Sequence, residues 1–536
     1  MGINTAQNTL IQEVTLPASS AIAAGDLIVL NEGGTTVKAS NQLTTAQNNI
    51  TTAGVSAVAA LANRFESNVY TFYANENDIA VLLGNNIIAV AYAGNGSSNA
   101  NSDVNVSYFT VTGALYQPRT KAEVGSTVGS VKIIKLNESK FVVSWIVNTT
   151  LKFAVYTNAG TQVGSTTTVA TTASPYGTVR DWQIKRISDT RFVIVYNTSS
   201  TARFKIFDDN ATIVGTETQF DTGSVGEFNI LIHSITGDFW ISYIFVTGTL
   251  YKLARFNSAG VLQGTIVTVF SGAATAPTNR TANLTELSDG KVVVLVLNGS
   301  SFPNMYVYTS ALVVSASNTS WHNNDGGTAL NYTYPRVVPQ ANGEFFLFVS
   351  TNIPFIRIWR FNNSLNQISI INTGATIGTT VNGQNAGYLY AFVNGSLGFT
   401  IITGGFNGTN YGTTLASVNT TNTLIGSSTV LFSTSSSLLG GLAFLTPEGI
   451  LAFFGGGSAT GTAANGFYNT QKKSLFGVAQ DTVAAGSNYR AATQGTFQLN
   501  SSTIPSSPGF FDNRAVTPPG PKGIIAGTTA ILYGME

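Results

Sequence analysis

The chain holds two histidines, His233 and His322, and no cysteine. Imidazole is the usual general base near neutral pH, and thiolate is the usual soft nucleophile or metal ligand. Without Cys, thiolate catalysis, Cys-based metal sites and disulfide staples are excluded. The two histidines lie far apart in sequence. His233 falls in an apolar strand region, as a satisfied structural histidine does. His322 stands between Trp321 and Asn323-Asn324-Asp325-Gly326-Gly327, where a long inter-strand connection accounts for it and a ligand-facing loop is the alternative. Paired carboxylates could cleave glycosides. The acids Asp189, Asp238, Asp289, Glu344 and Glu448, however, recur at one repeated turn, which assigns them to architecture. Asp208-Asp209-Asn210 offers oxygens to a hard cation but lacks the glycine and terminal acid of a calcium loop. No Gly-x-Ser-x-Gly elbow or nucleotide-type phosphate loop is present. The expectation is a chain with no catalytic, cofactor-binding or metal-binding residues.

Aromatic residues offer a different chemistry, stacking on sugars beside hydrogen-bonding Asn and Thr. There are 20 Tyr, 32 Phe and five Trp. Trp145, Trp240 and Trp359 fall on expected strands and are assigned to the core. Trp182 and Trp321 fall nearer loops or strand edges, and with His322 and Asp325 they form the candidate interaction residues.

The elements that position these residues come from a weak repeat. A tight turn followed by an apolar strand begins at Ile87, Phe141, Phe192, Phe239, Val292, Phe345, Phe399 and Ile450, at spacings between 47 and 54 residues. A second marker follows in phase: an alternating strand ending in an aromatic residue and a polar turn. Examples are Phe153-Ala154-Val155-Tyr156, Phe204-Lys205-Ile206-Phe207 and Leu253-Ala254-Arg255-Phe256. A fourth strand is expected to open on a branched pair and a glycine, as in Ile213-Val214-Gly215 and Leu424-Ile425-Gly426. Each unit thus supplies four short strands. One such sheet cannot bury both faces alone, whereas radial stacking buries face against face. The fold class expected is all-β: a β-propeller of about eight blades, with seven as the alternative count, over residues 72–472. The last unit lacks a clear fourth strand, which the segment before Asn77 could supply from the other end of the chain.

Charged residues make up only 10% of the chain, and 26 basic residues nearly balance 25 acidic ones. Nucleic-acid binding needs clustered Lys and Arg, so no nucleic-acid partner is expected. No apolar stretch reaches the roughly 18 residues of a membrane span, so no membrane insertion is expected. Met1-Gly2-Ile3-Asn4-Thr5 shows no basic region leading into an apolar run, an observation that favours release by lysis over secretion.

The flanks carry their own signal. Ala23-Ala24-Gly25 leads into Asp26-Leu27-Ile28-Val29-Leu30, and Ala484-Ala485-Gly486 leads into Ser487-Asn488-Tyr489-Arg490. In each, Gly-Thr follows nine residues after the glycine, at Gly34-Thr35 and Gly495-Thr496, as though two related hairpins bracketed the repeats. Residues 1–71 and 473–536 are therefore expected to form one small split β-domain, sandwich-like or barrel-like, with the propeller inserted. The proline cluster Pro518-Pro519-Gly520-Pro521 reads as a connector before a last strand, Thr529-Ala530-Ile531-Leu532-Tyr533. Leu475-Phe476-Gly477-Val478-Ala479-Gln480, the two Ala-Ala-Gly segments and Gly495-Thr496 resemble small β-rich decoration proteins of tailed bacteriophage virions. The resemblance covers the flanks alone. It implies a structural virion surface protein, such as a capsid decoration, head fibre or tail fibre, with no catalytic residues. The expected partners are other capsid or tail proteins, a host-surface glycan, and further copies in a homo-oligomer. The alternative is a secreted bacterial adhesin or carbohydrate-binding protein, with a glycan depolymerase further behind.

Overall fold

The computed structural model describes most of residues 79–372, and describes 13–58 and 389–533 through the strands named below. Its described residues form antiparallel sheets. Seven consecutive four-stranded sheets, each ordered as a simple meander, follow one another along the chain and lead to an eighth. Sheet 1 comprises Ala80–Leu82, Ile87–Ala93, Val104–Thr110 and Leu115–Glu123. Sheet 2 comprises Val128–Lys135, Lys140–Val147, Thr150–Thr157 and Gln162–Ala170. Sheet 3 comprises Trp182–Ser188, Arg191–Thr198, Thr201–Asp208 and Thr218–Thr222. Sheet 4 runs from Val225–Ile232 through Phe239–Phe245 and Leu250–Phe256 to Val267–Ser271. Sheets 5, 6 and 7 repeat the plan from Asn283–Glu286 to Val314–Asn318, from Tyr332–Pro339 to Gln367–Asn372, and from Leu389–Val393 to Thr429–Thr434.

Sheet 8 departs from this plan. Its strands Leu438–Leu445, Ile450–Gly457 and Ala463–Asn469 take their fourth partner from Ala57–Val58, antiparallel, with Phe467 opposite Val58 and Tyr468 opposite Ala57. Residues 57–58, inside the segment assigned to the flanking domain, therefore belong to the last repeat.

The two sequence markers prove to be one structural unit. Phe141, Phe192, Phe239 and Phe345, which open the second strands, pair across the ladder with Tyr156, Phe207, Phe256 and Phe361. Each pair is stacked, with ring centroids 5.3–5.6 Å apart. Such pairs add about 0.5–1.5 kcal/mol beyond their burial.

Strand alternation divides each sheet between two interfaces. In sheet 2, Phe141, Val143 and Trp145 pack in one cluster with Ala91, Val106 and Tyr108 of sheet 1. Val142, Phe153 and Val155 pack on the other side with Phe192, Ile194 and Tyr196 of sheet 3. The same division continues between sheets 3 and 4, 4 and 5, and 5 and 6. Val292-Val293-Val294-Leu295-Val296 is apolar throughout because alternate residues serve different neighbours. From sheet 1 to sheet 7, moreover, the first strand of each sheet lies beside the first strand of the next.

The turn between the third and fourth strands also repeats. The carbonyls of Thr157, Asp208, Asn257, Thr309 and Asn362 each accept the N–H three residues on, at 2.8–3.1 Å. That third residue is left-handed: Gly160, Ala211, Gly260, Leu312 and Leu365 have φ between 60° and 84°. This is the three-residue hairpin loop that ends in a left-handed position. Asn and Asp suit its first position because the side chain takes further amides. Asn257 Oδ1 accepts from Ala259 and Val261, and Asp208 Oδ1 from Asn210 and Thr212. Gly260 meets a second demand, since a Cβ there would approach Phe204 of the preceding sheet to 3.1 Å.

Two expectations need correction. Ile213-Val214-Gly215 does not open the fourth strand. Ile213 makes a single bridge to Phe207, Gly215 turns left-handed at φ 79°, and the strand begins at Thr218. The branched pair extends the hairpin, and the glycine bends the chain before pairing resumes; the second example, Leu424-Ile425-Gly426, lies outside the described residues. The two Ala-Ala-Gly segments also do not lead into equivalent hairpins. Leu27–Leu30 and Thr36–Lys38 do form one. Asn488–Ala492 and Gln494–Gln498 instead enter different sheets. Only Thr493 separates them, too little for a two-residue hairpin turn.

The flanks meet in a five-stranded sheet ordered Glu13–Pro17, Asn488–Ala492, Leu475–Ala479, Leu27–Leu30 and Thr36–Lys38. Both ends of the chain thus contribute to one sheet. A final four-stranded sheet is ordered Gln494–Gln498, Thr529–Tyr533, Lys522–Ala526 and Gly509–Asp512. Thr529–Tyr533 is the expected last strand; the proline cluster lies outside the described residues. No helix among them is long and apolar enough to cross a membrane.

Candidate recognition edge and inter-sheet sites

Each sheet is an antiparallel meander, so the turns after its first and third strands share one edge. Connections after the second and fourth strands leave from the opposite edge. The first edge is closed by hydrogen bonds spanning about one repeat. Asn137 Nδ2 donates to Asp189 O at 2.8 Å, Gly343 N to Ser288 Oγ at 2.8 Å, and Ser234 N to Glu286 Oε2 at 2.7 Å.

The repeated acids belong to this edge. Asp238 accepts from Arg255 Nε at 2.6 Å, and Glu344 accepts from Arg360 Nε at 2.6 Å, the same bridge in sheets 4 and 6. Asp189 pairs with Arg186 at 2.9 Å and Asp289 with Lys291 at 3.3 Å. Glu448 lies outside the described residues. Asp209 of the Asp-Asp-Asn run is 2.8 Å from Lys140 Nζ, while Asp208 serves its own turn. Among the described residues, no cluster of three His, Cys, Asp or Glu could hold a metal ion. His233, 1% exposed, is built into the edge. Its Nδ1 faces the Thr236 N–H at 3.4 Å, and Nε2 lies 2.7 Å from the Gly290 carbonyl. A ring nitrogen facing a carbonyl must donate, so Nε2 carries a proton, and Nδ1 also lies 3.6 Å from Glu286 Oε1.

Trp182 corrects the sequence reading. It opens a strand and is 1% exposed, with Lys132 Nζ of sheet 2 placed 4.9 Å from its ring centroid. A strand-end position looked accessible in sequence, but the preceding sheet covers it. Trp145, Trp240 and Trp359 are buried as well. Trp321, His322 and Asp325 lie outside the described residues.

One device escaped the sequence reading. An acid near the end of one sheet reaches an aromatic–lysine pair on the next. Glu123 accepts from Trp145 Nε1 at 3.1 Å and from Lys152 Nζ at 3.0 Å. Asp221 accepts from the Tyr243 hydroxyl at 2.6 Å and from Lys252 Nζ at 2.9 Å. Trp145 faces Lys152 and Tyr243 faces Lys252 across their ladders. The signal was present as an acid 22 residues before an aromatic in both cases.

Burial raises the Asp221 carboxyl, but bonds from Tyr243 and Lys252 outweigh it and hold the group below its ordinary value. Burial, then the bond to Asp221, pushes the Tyr243 hydroxyl up, so it stays a donor. A depressed carboxyl contributes stability that is complete above its unfolded value and lost as pH falls through the folded one. The melting temperature is therefore expected to fall as pH drops below about 4. In Asp221→Asn that acid-side slope should be shallower, as thermal scans between neutral and acid pH would measure.

Two cavities lie among these elements. One, of about 390 Å³, is bordered by first strands of sheets 1 to 4, including Val81, Ile134, Lys185 and Leu231. The other, of about 450 Å³, lies between sheets 2 and 3.

No family model matches the sequence, and no curated protein matches it. Among solved structures, the chain is similar to the Dos1 propeller at 13% identity, covering 74% of this chain and 94% of that one, TM-score 0.43. It is similar to Hsv2 of Kluyveromyces lactis at 12% identity, covering 65% and 95%, TM-score 0.37. A third likeness is to a family PL25 polysaccharide lyase, an ulvan lyase, at 8% identity, covering 74% and 95%, TM-score 0.39. These likenesses are loose and carry no argument about activity; what the chain can be said to have is an all-β architecture of four- and five-stranded antiparallel sheets.

Proposed function

We propose that this protein is a non-enzymatic surface-display protein: a closed ring of eight sheets on a base formed by both chain ends. The observation that carries the reading is the pairing of distant segments. Ala57–Val58 completes sheet 8, and the strands Glu13–Pro17, Leu27–Leu30 and Thr36–Lys38 share a five-stranded sheet with Leu475–Ala479 and Asn488–Ala492. Both ends of the repeat array therefore return to the same base, which suits rigid attachment, while the open edge presents its connections for recognition. Among the described residues, the repeated acids that could have served hydrolysis are each paired with an Arg or Lys of their own sheet.

The setting proposed is the exterior of a tailed-phage particle, with capsid or tail proteins as partners of the base. That choice rests on the flank motifs. An adhesin or carbohydrate-binding protein would use the same ring and differ in what the base holds. Gradient fractionation of lysates with antibody labelling distinguishes them. The protein should co-sediment with particles and label their exterior. Recovery in the cell envelope or medium of particle-free cultures would overturn the virion setting in favour of the adhesin.

A further inference from the structure

The 450 Å³ cavity between sheets 2 and 3 lies where the inter-sheet bridge breaks its own pattern. Val104–Glu123, Leu151–Ala170, Ala202–Asp221 and Tyr251–Phe270 are equivalent ladder pairs, each the last before a bulge. Sheets 1 and 3 thus place an acid at this position and send it to the next sheet. Sheet 2 places Ala170 there and sheet 4 places Phe270. The receiving pair on sheet 3 is nevertheless present, with Tyr196 opposite Arg203.

A second departure falls in the same gap. Two residues beyond Lys152 and Lys252 stand Ala154 and Ala254, but two beyond Arg203 stands Lys205. Its Nζ lies 2.5 Å from the Val169 carbonyl. Glu217, from sheet 3 itself, accepts from the Tyr196 hydroxyl at 2.5 Å and sits 3.4 Å from Arg203. The cleft therefore gathers two cations and one carboxylate, where the neighbouring gaps pair one with one. Thr168, Thr171 and Thr198 line it with hydroxyls. Thr171 follows the fourth strand of sheet 2, and Thr198 ends the second strand of sheet 3, so the cleft opens on the recognition edge.

We propose that this cleft binds an acidic saccharide, whose carboxylate meets the second cation that Glu217 alone does not balance. Arg203 and Lys205 meet the carboxylate, and the threonine hydroxyls meet sugar hydroxyls. A cavity of this size falls in the range of small-ligand sites, roughly 300–1,000 Å³. The site deepens the surface-recognition reading and rests on it for its role. Its chemistry is read on purified protein and is therefore separable from localisation on particles.

The test is calorimetric titration of the full chain with galacturonic acid trisaccharide, with its methyl ester and with sodium acetate. Saturable binding of the trisaccharide is expected, with the ester at least about tenfold weaker and acetate weaker still. Ala170→Asp installs the acid of the neighbouring gaps and should weaken the trisaccharide at least about tenfold while the protein stays folded. Lys205→Ala installs the residue of sheets 2 and 4 and should do the same, which covers the case where the first variant fails to fold. No binding by the native chain would overturn the proposal. So would equal affinity for the ester, acetate binding as tight as the sugar, or native affinity in both folded variants.

Discussion

Phe204→Ala is expected to lower the unfolding free energy by about 3–5 kcal/mol, the usual cost of removing a buried ring. Phe204 is 1% exposed and belongs to sheet 3, yet its nearest rings are on sheet 4. Its centroid lies 4.9 Å from Phe256 and 5.3 Å from Phe239. The Phe239–Phe256 stack, with Gly260 held against the ring of Phe204, cannot collapse into the space without moving a whole sheet. A surface exchange such as Thr212→Ala, at an exposed turn, should stay within about 0.5 kcal/mol. Denaturant titration by tryptophan fluorescence measures both. A cost below about 1 kcal/mol for Phe204→Ala would mean that sheets 3 and 4 do not pack face to face.

The second large effect is expected at Arg255. Its guanidinium lies 2.5 Å from Asp238, whose side chain is 8% exposed, and it also donates to the Ser310 carbonyl on sheet 5. Arg255→Met leaves a carboxylate buried without its partner, at a cost of about 3–5 kcal/mol. Arg255→Met combined with Asp238→Asn removes the stranded charge and should recover at least half of that loss. A double variant no more stable than the single one would show that the bridge is not the cause. Thermal melts of the three variants at pH 7 give the comparison.

Much of this fold can be read from the chain because its strongest signal is a local one repeated many times. In sheets 2, 3, 4 and 6 the Phe that opens the second strand and the aromatic that closes the third sit in one hairpin, so both recur in phase. Thr529–Tyr533 was legible for the same reason, as an apolar run bounded by turn residues. What could not be read depends on contacts between sheets. Trp182 sits at a strand end, where sequence suggests access, but a neighbour some 50 residues away buries it. Glu123 and Asp221 resemble ordinary polar residues until the next sheet brings Lys152 and Lys252 to them. Ala170 is still less visible, since its meaning lies in the acids that sheets 1 and 3 carry at the equivalent position. The fourth-strand starts were misplaced because Gly215 looks like part of a strand in sequence and proves to be left-handed.

Ring closure through the N-terminal segment is the central claim, and one crosslink tests it. The chain has no cysteine, so Ala57→Cys with Tyr468→Cys introduces a single pair of thiols. The two positions face each other across the sheet 8 ladder. Antiparallel partners have Cα atoms about 4.5–5.5 Å apart, within disulfide reach. Mild oxidation of the folded monomer should give one intramolecular disulfide, seen by mass spectrometry as a reducible peptide pair joining residues 57 and 468. Two free thiols in a folded monomer, or bonds formed only between chains, would contradict the closed ring.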